Sequence, residues 1–219
     1  MKYFVEACCP SLDSVRHAAD AGANRIELCE RLEVGGVTPS EALIRTALQA
    51  AGSIPVNVLI RPREGNFVYS EAEVGQMLQG VGLCKDMGVN GVVIGALTPD
   101  GTVDKATCAR LVSAARPLSI TFHRAMDEAA DIFTALEDII ALGADRILTS
   151  GGRPTAYEGR FVIRDLVARA SGRITIMPGC GVRPGNIDEI ASVTGAAEFH
   201  GSSILSLYRR CLMALVASS

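Results

Sequence analysis

The sequence predicts a TIM-type (β/α)8 barrel, a single α/β domain over residues 1–219, and three observations carry that prediction. A short phrase recurs: Gly22-Ala-Asn-Arg-Ile-Glu-Leu, Gly88-Val-Asn-Gly-Val-Val-Ile, Gly143-Ala-Asp-Arg-Ile-Leu-Thr and, more loosely, Gly195-Ala-Ala-Glu-Phe-His. In each, a glycine able to take the left-handed conformation that closes a helix precedes a β-rich run as long as a core strand. The phrases are spaced by 66, 55 and 52 residues, too far for one βα unit and about right for two. Four further strand candidates, residues 3–8, 55–61, 118–123 and 173–178, bring the total to eight. A length of 219 residues lies near the lower end for this architecture, which usually takes roughly 250 residues and can be as short as about 200.

Helix starts mark the alternation. A first helix is expected from about Leu12, after strand one. Thr38-Pro-Ser-Glu41 reads as a capping box with proline at the first helical position, and Ser70-Glu-Ala-Glu73 as a second, so helices should follow Thr38 and Ser70. Others are expected from about Lys105, Ile132, Tyr157 and Asn186, the last just after the Pro184-Gly185 turn. The stretch 205–216 is short but helical in character, and residues 62–68 form the main loop excursion.

With 48% hydrophobic and 21% charged residues, the chain has the make-up of a soluble globular protein with a large core. A formal charge of -3 supplies no basic patch for nucleic acid. No apolar run approaches the roughly 18 residues of a membrane span, and no signal peptide precedes strand one, so a cytoplasmic location is expected. Seven cysteines without a CxxC pair argue for reduced thiols rather than a disulfide framework.

In such a barrel, reactive groups gather at the carboxyl ends of the strands. Glu6 and Glu27 stand within apolar strands, where a carboxylate is costly unless paired, and Arg61, Arg63 and Arg124 are the counter-charges available at strand ends. Two readings stand for Glu6, Glu27, His123, Arg61 and Arg124: an acid/base catalytic set, or an ion-pair lattice at the barrel mouth. His17 falls on an outer helix and reads as a surface residue. Gly179 and Gly181 after strand seven, with Gly201 and Ser202 after strand eight, occupy the place where barrels often bind phosphate, and a small anionic metabolite is the partner this implies. Ser150-Gly-Gly-Arg153 could extend that site. The same glycines also serve simply to make tight turns.

Cys8 and Cys29 each follow an acid by two residues, so each thiol shares a strand face with its Glu. The simpler reading is buried packing residues. The other is a pair of soft thiolates suited to Cu(I). Cys9, Cys84, Cys108 and Cys211 read as packing, while Cys180 lies in the anion turn.

Glu6-Ala-Cys8, Asn24-Arg-Ile-Glu-Leu-Cys29, Gly35-Gly-Val-Thr-Pro-Ser40, Ile60-Arg-Pro-Arg63, Phe67-Val-Tyr-Ser70, Thr121-Phe-His-Arg124, Leu148-Thr-Ser-Gly151 and Phe199-His-Gly-Ser202 together resemble the CutC family over roughly residues 3–204. The resemblance implies a cytoplasmic TIM-type barrel forming homodimers or higher homo-oligomers. It also implies an association with copper homeostasis and Cu(I) held by Cys8 and Cys29, and it names no reaction. Relatives continue through a longer polar tail after Ser202, so a barrel shortened at its carboxyl end is expected.

Overall fold

The computed structural model describes residues 3–203. Eight parallel strands run β1 (Phe4–Cys9), β2 (Arg25–Leu28), β3 (Val56–Leu59), β4 (Gly91–Ile94), β5 (Ser119–Phe122), β6 (Arg146–Thr149), β7 (Thr175–Pro178) and β8 (Glu198–Gly201). Between them lie α1 (Leu12–Asp20), α2 (Glu41–Ala51), α3 (Glu71–Asp86), α4 (Lys105–Ala115), α5 (Ile132–Leu142), α6 (Arg160–Ala170) and α7 (Ile187–Thr194). Each strand from β1 to β7 pairs with the next, β8 pairs with β1, and β7 lies beside β8, so the sheet curls into a barrel. Among the described residues, no helix is long and apolar enough to cross a membrane. The stretch 205–216 and Cys211 lie outside the described residues.

The recurring phrase has a physical explanation. Gly22, Gly88, Gly143 and Gly195 all take positive φ and turn the chain from a helix end toward the next strand. Two residues on, Asn24 accepts the Val5 N–H at 2.8 Å, Asn90 that of Val56 at 2.8 Å, and Asp145 that of Ile120 at 2.7 Å. The phrase therefore closes a helix and satisfies the lower edge of the neighbouring strand in one step.

Helix starts follow the expected chemistry with two corrections. Ser70 and Glu73 form the capping box of α3, and Asp104 and Asp131 cap α4 and α5. The box expected at Thr38 does not form. Its hydroxyl instead accepts the Arg61 N–H at 2.7 Å, and α2 starts at Glu41 after Ser40, whose hydroxyl donates to Glu30. Helix α6 starts at Arg160 rather than Tyr157, because Ser150 to Gly159 form a folded turn region first.

Alternation divides the strand residues. Ile26, Val58, Val92, Ile120, Ile147 and Phe199 point outward into apolar clusters shared with the helices. The inward set is largely polar: Glu6, Arg25, Glu27, Asn57, Thr121, Arg146, Glu198 and His200, with Cys8, Cys29, Leu59 and Val93 as an apolar plug. The fourth residue of each phrase (Arg25, Gly91, Arg146, Glu198) comes from an even-numbered strand, and together they make one layer of the lumen. Gly91 leaves its quarter of that layer to Asn57. A methyl there would sit 2.4 Å from Asn57 Oδ1 and 2.7 Å from the Ser119 carbonyl.

Gly91→Ala is therefore expected to lower stability by about 1–3 kcal/mol. Gly75→Ala, on α3 where an added Cβ meets nothing within 4 Å, should raise it by roughly 0.5–1 kcal/mol. Urea unfolding of the two variants measures both. Equal effects would show that lumen crowding is not what requires Gly91.

Candidate metal centre

A chain of charges climbs through the lumen to the barrel mouth. Arg146 Nε donates to Glu198 at 2.6 Å, and Glu198 also accepts from Arg25 at 2.8 Å. Arg25 Nε donates to Glu6, and Glu6 Oε1 meets His200 Nδ1 at 2.9 Å. His200 Nε2 then lies 3.9 Å from Glu27 Oε1. Glu27 Oε1 is 3.8 Å from Cys8 Sγ, which is 3.8 Å from Cys29 Sγ. The parallel register explains the grouping, since Glu6 is level with Arg25 and His200, and Cys8 with Glu27.

Position in this chain sets the protonation of each group. Burial acts to raise Glu6, but the His200 hydrogen bond and the Arg25 charge outweigh it and hold the carboxyl at about 2. For Glu27, burial is the largest influence and the Glu6 charge adds to it, moving the carboxyl up to about 7 against the pull of His200. Burial acts to lower His200, yet the carboxylates of Glu27 and Glu6 outweigh it and raise the imidazole. The Cys8 thiol is held well above its ordinary 9.0 by its contact with Cys29, by burial and by Glu27. Two adjacent acids thus differ because one has a guanidinium partner and the other does not.

Above this cluster opens a cavity of about 610 Å³ lined by Cys8, Glu27, Cys29 and His200 on one side and by Arg61, His123 and Arg124 on another. The sequence pointed to the last three as partners of the two acids, and the structure separates them. Arg61 donates to the carbonyls of Val34, Gly36 and Gly65 and stacks on Phe67. Arg63 is engaged by Glu73 and the loop carbonyls of residues 64–68. Arg124 pairs with Asp127, which also accepts from the backbone N–H groups of Ser150 and Gly152 and pins β6 to the turn after β5. His123 packs against Phe67, and its Nδ1 accepts the Ala125 N–H at 3.1 Å. Burial and the Arg61 charge move it down to about 3, so it is neutral. His200 stands beside the acids instead.

The four residues of the expected anion turn divide as well. Gly181, Gly201 and Ser202 line the cavity. Gly179 donates its N–H to Thr149 at 2.9 Å, and its bare Cα faces Leu148 and His200, so close packing accounts for the glycine. Ser150 is buried against Asp127, while His17 is exposed as expected. Cys9, Cys84 and Cys108 are buried, and Cys180 lines the cavity rim with φ +70, a conformation that favours glycine.

Sequence reasoning missed Arg25, Arg146 and Glu198 as the ionic supports of the site. The signal was present in the repeat, because these residues occupy its fourth position. Nothing local in the sequence joins His200 to the acids, since only closure of β8 on β1 brings it there.

The CutC family model matches residues 3–205. The chain belongs to the CutC family. A CutC family protein of Parabacteroides distasonis is 51% identical over 210 residues, covering 96% of this chain and 86% of that one. The copper homeostasis protein cutC homolog of Homo sapiens is 44% identical over 201 residues, covering 92% and 73%. The crystal structure of CutC from Streptococcus agalactiae superposes with a TM-score of 0.88 at 34% identity, covering 92% of this chain and 99% of that one. In this CutC family member, the barrel and its copper-homeostasis kinship are thus both shown, and the lumen charges form the floor of its mouth.

Glu6→Gln leaves Arg25 with one carboxylate fewer in a buried place, and a loss of roughly 3–5 kcal/mol is expected. The folded value of Glu6, about 2, lies below its ordinary 4.5, so its contribution is fully present above 4.5 and lost as pH falls toward 2. Glu27 has the opposite sign: its carboxyl is raised from 4.5 to about 7, so stability declines as pH rises across that interval. Urea unfolding at stepped pH should show the gap between wild type and Glu6→Gln closing on acidification. A gap that stays constant would locate the effect in packing rather than in charge.

Proposed function

We propose that this chain handles copper by holding Cu(I) at the barrel mouth between Cys8 and Cys29. The observation that carries the reading is the placement of two free thiols 3.8 Å apart, on one face of adjacent strands and at the base of an open cavity. Cu(I) is soft and accepts low coordination, so a buried thiolate pair suits it without further ligands. Binding as a thiolate pair must expel the protons of both thiols, and that of Cys8 is held firmly in the folded chain. Glu27 Oε1, 3.8 Å from Cys8 Sγ, is placed to accept the Cys8 proton, and the cavity, which Cys29 also lines, leads the Cys29 proton to solvent.

The names of the human and mouse relatives, copper homeostasis protein cutC homologs, support the same reading. The cytoplasmic location and homo-oligomeric state implied by the family belong to this proposal. An enzyme acting on a small anionic metabolite has less support, because the Gly179 N–H is already engaged and the His123 Nδ1 is occupied.

An anaerobic competition titration of the reduced protein against a Cu(I) chelator tests the proposal. The expected result is one tightly held Cu(I) per chain. The Cys8→Ser, Cys29→Ser double variant should weaken binding by more than about 100-fold, since loss of an outer partner alone costs 10–100-fold. Circular dichroism should show the variant still folded. Equal binding by wild type and double variant would remove Cys8 and Cys29 from the proposal.

A further inference from the structure

Cys8 belongs to two ligand sets. One is the dithiol with Cys29. The other joins it to Glu27 and His200, whose candidate donor atoms and the Cys8 sulfur all lie within 4.8 Å of one another. All three side chains are buried and all three line the mouth cavity.

Three features show a built site rather than a chance meeting of side chains. Glu27 Oε2 is buried without a hydrogen-bond partner, an acceptor left over inside the cluster. The Glu6 bond to His200 Nδ1 leaves Nε2 as the nitrogen on the Glu27 side, 3.9 Å from its carboxylate. Glu6 is in turn held by Arg25, and Arg25 by Glu198, so the imidazole is fixed from behind. A carboxylate behind a histidine is the arrangement that orients metal-binding imidazoles and raises their basicity.

The donor chemistry differs between the two sets. One sulfur, one nitrogen and one oxygen suit a borderline divalent ion, whereas two sulfurs suit Cu(I). Three protein ligands also leave a tetrahedral ion one position for water or another small donor. We propose that Cys8, Glu27 and His200 form a site for a divalent ion of the zinc type, with its fourth position open to the mouth cavity. Occupancy by this ion and by Cu(I) is mutually exclusive, because both require the Cys8 thiolate. The inference rests on the copper reading only in giving Cys8 a metal-binding role, and it adds a second ion with a different ligand set.

The test uses the full, reduced, metal-free chain, titrated anaerobically with zinc chloride against a chromophoric chelator and with cobalt chloride in a spectrophotometer. One ion per chain is expected, and the cobalt form should show thiolate-to-metal charge transfer and the intense visible bands of a tetrahedral centre. His200→Ala should lower zinc affinity at least about tenfold more than it lowers Cu(I) affinity, Cys29→Ser should do the reverse, and Cys8→Ser should weaken both. One equivalent of Cu(I) should bleach the cobalt spectrum. Should His200→Ala not fold, by circular dichroism, Glu27→Gln carries the same comparison. Cu(I) binding without zinc or cobalt binding overturns this inference and leaves the copper reading standing, while zinc binding without Cu(I) binding does the opposite. His200→Ala and Cys29→Ser variants that each weaken both ions alike, or cobalt that stays bound when Cu(I) is added, overturn the two-set assignment.

Discussion

Arg25 stands inside the barrel between two carboxylates, Glu6 from β1 and Glu198 from β8, and the geometry of the mouth depends on that bridge. A guanidinium taken from water into the lumen is costly unless its donors are met in good geometry. Arg25 meets that requirement through Nε to Glu6, and through Nη2 to Glu198 and the sulfur of Met177. Glu198 completes its own coordination with Arg146. The bridge joins the first strand to the last, so the electrostatic support of the site and the closure of the barrel are one arrangement.

The outward and inward faces of the strands do different work. Outward, β-branched and aromatic residues bury against the helices and supply the nonspecific driving force for folding. Inward, the usual close-packed apolar layers give way to alternating charge, with Gly91 leaving space for Asn57 and a small apolar plug around Cys8, Cys29, Leu59 and Val93. A lumen of this kind adds little to stability but sets the orientation of every polar group it holds.

Cys8 is the residue on which these arrangements converge. Register places it level with Glu27, alternation places it on the same face as Glu6, and Cys29 stands one step past β2 at contact distance. Its thiol stays protonated in the folded chain, and a buried thiol in that state is a poor nucleophile. Arg61, Arg124 and His123 line the same cavity, Arg61 held by backbone carbonyls, Arg124 by Asp127 and His123 by the Phe67 ring and the Ala125 N–H, and they shape the rim.

Much of this was legible in the sequence because it is local. The glycine that closes a helix in each of the four phrases, the capping box of Ser70 with Glu73, the eight strand runs and the shared face of Cys8 with Glu6 follow from dihedral preference and strand alternation within a few residues. Where the sequence misled, a distant group had intervened: the Arg61 N–H took the Thr38 hydroxyl from its expected cap, and Arg25 rather than Arg61 neutralised Glu6. Only the tertiary structure decided that His200 would stand against Glu6 across 194 residues and present its other nitrogen toward Glu27. Alternation determines which side chains share a face, whereas the level at which strands from opposite ends of the chain meet is set by closure of the barrel as a whole.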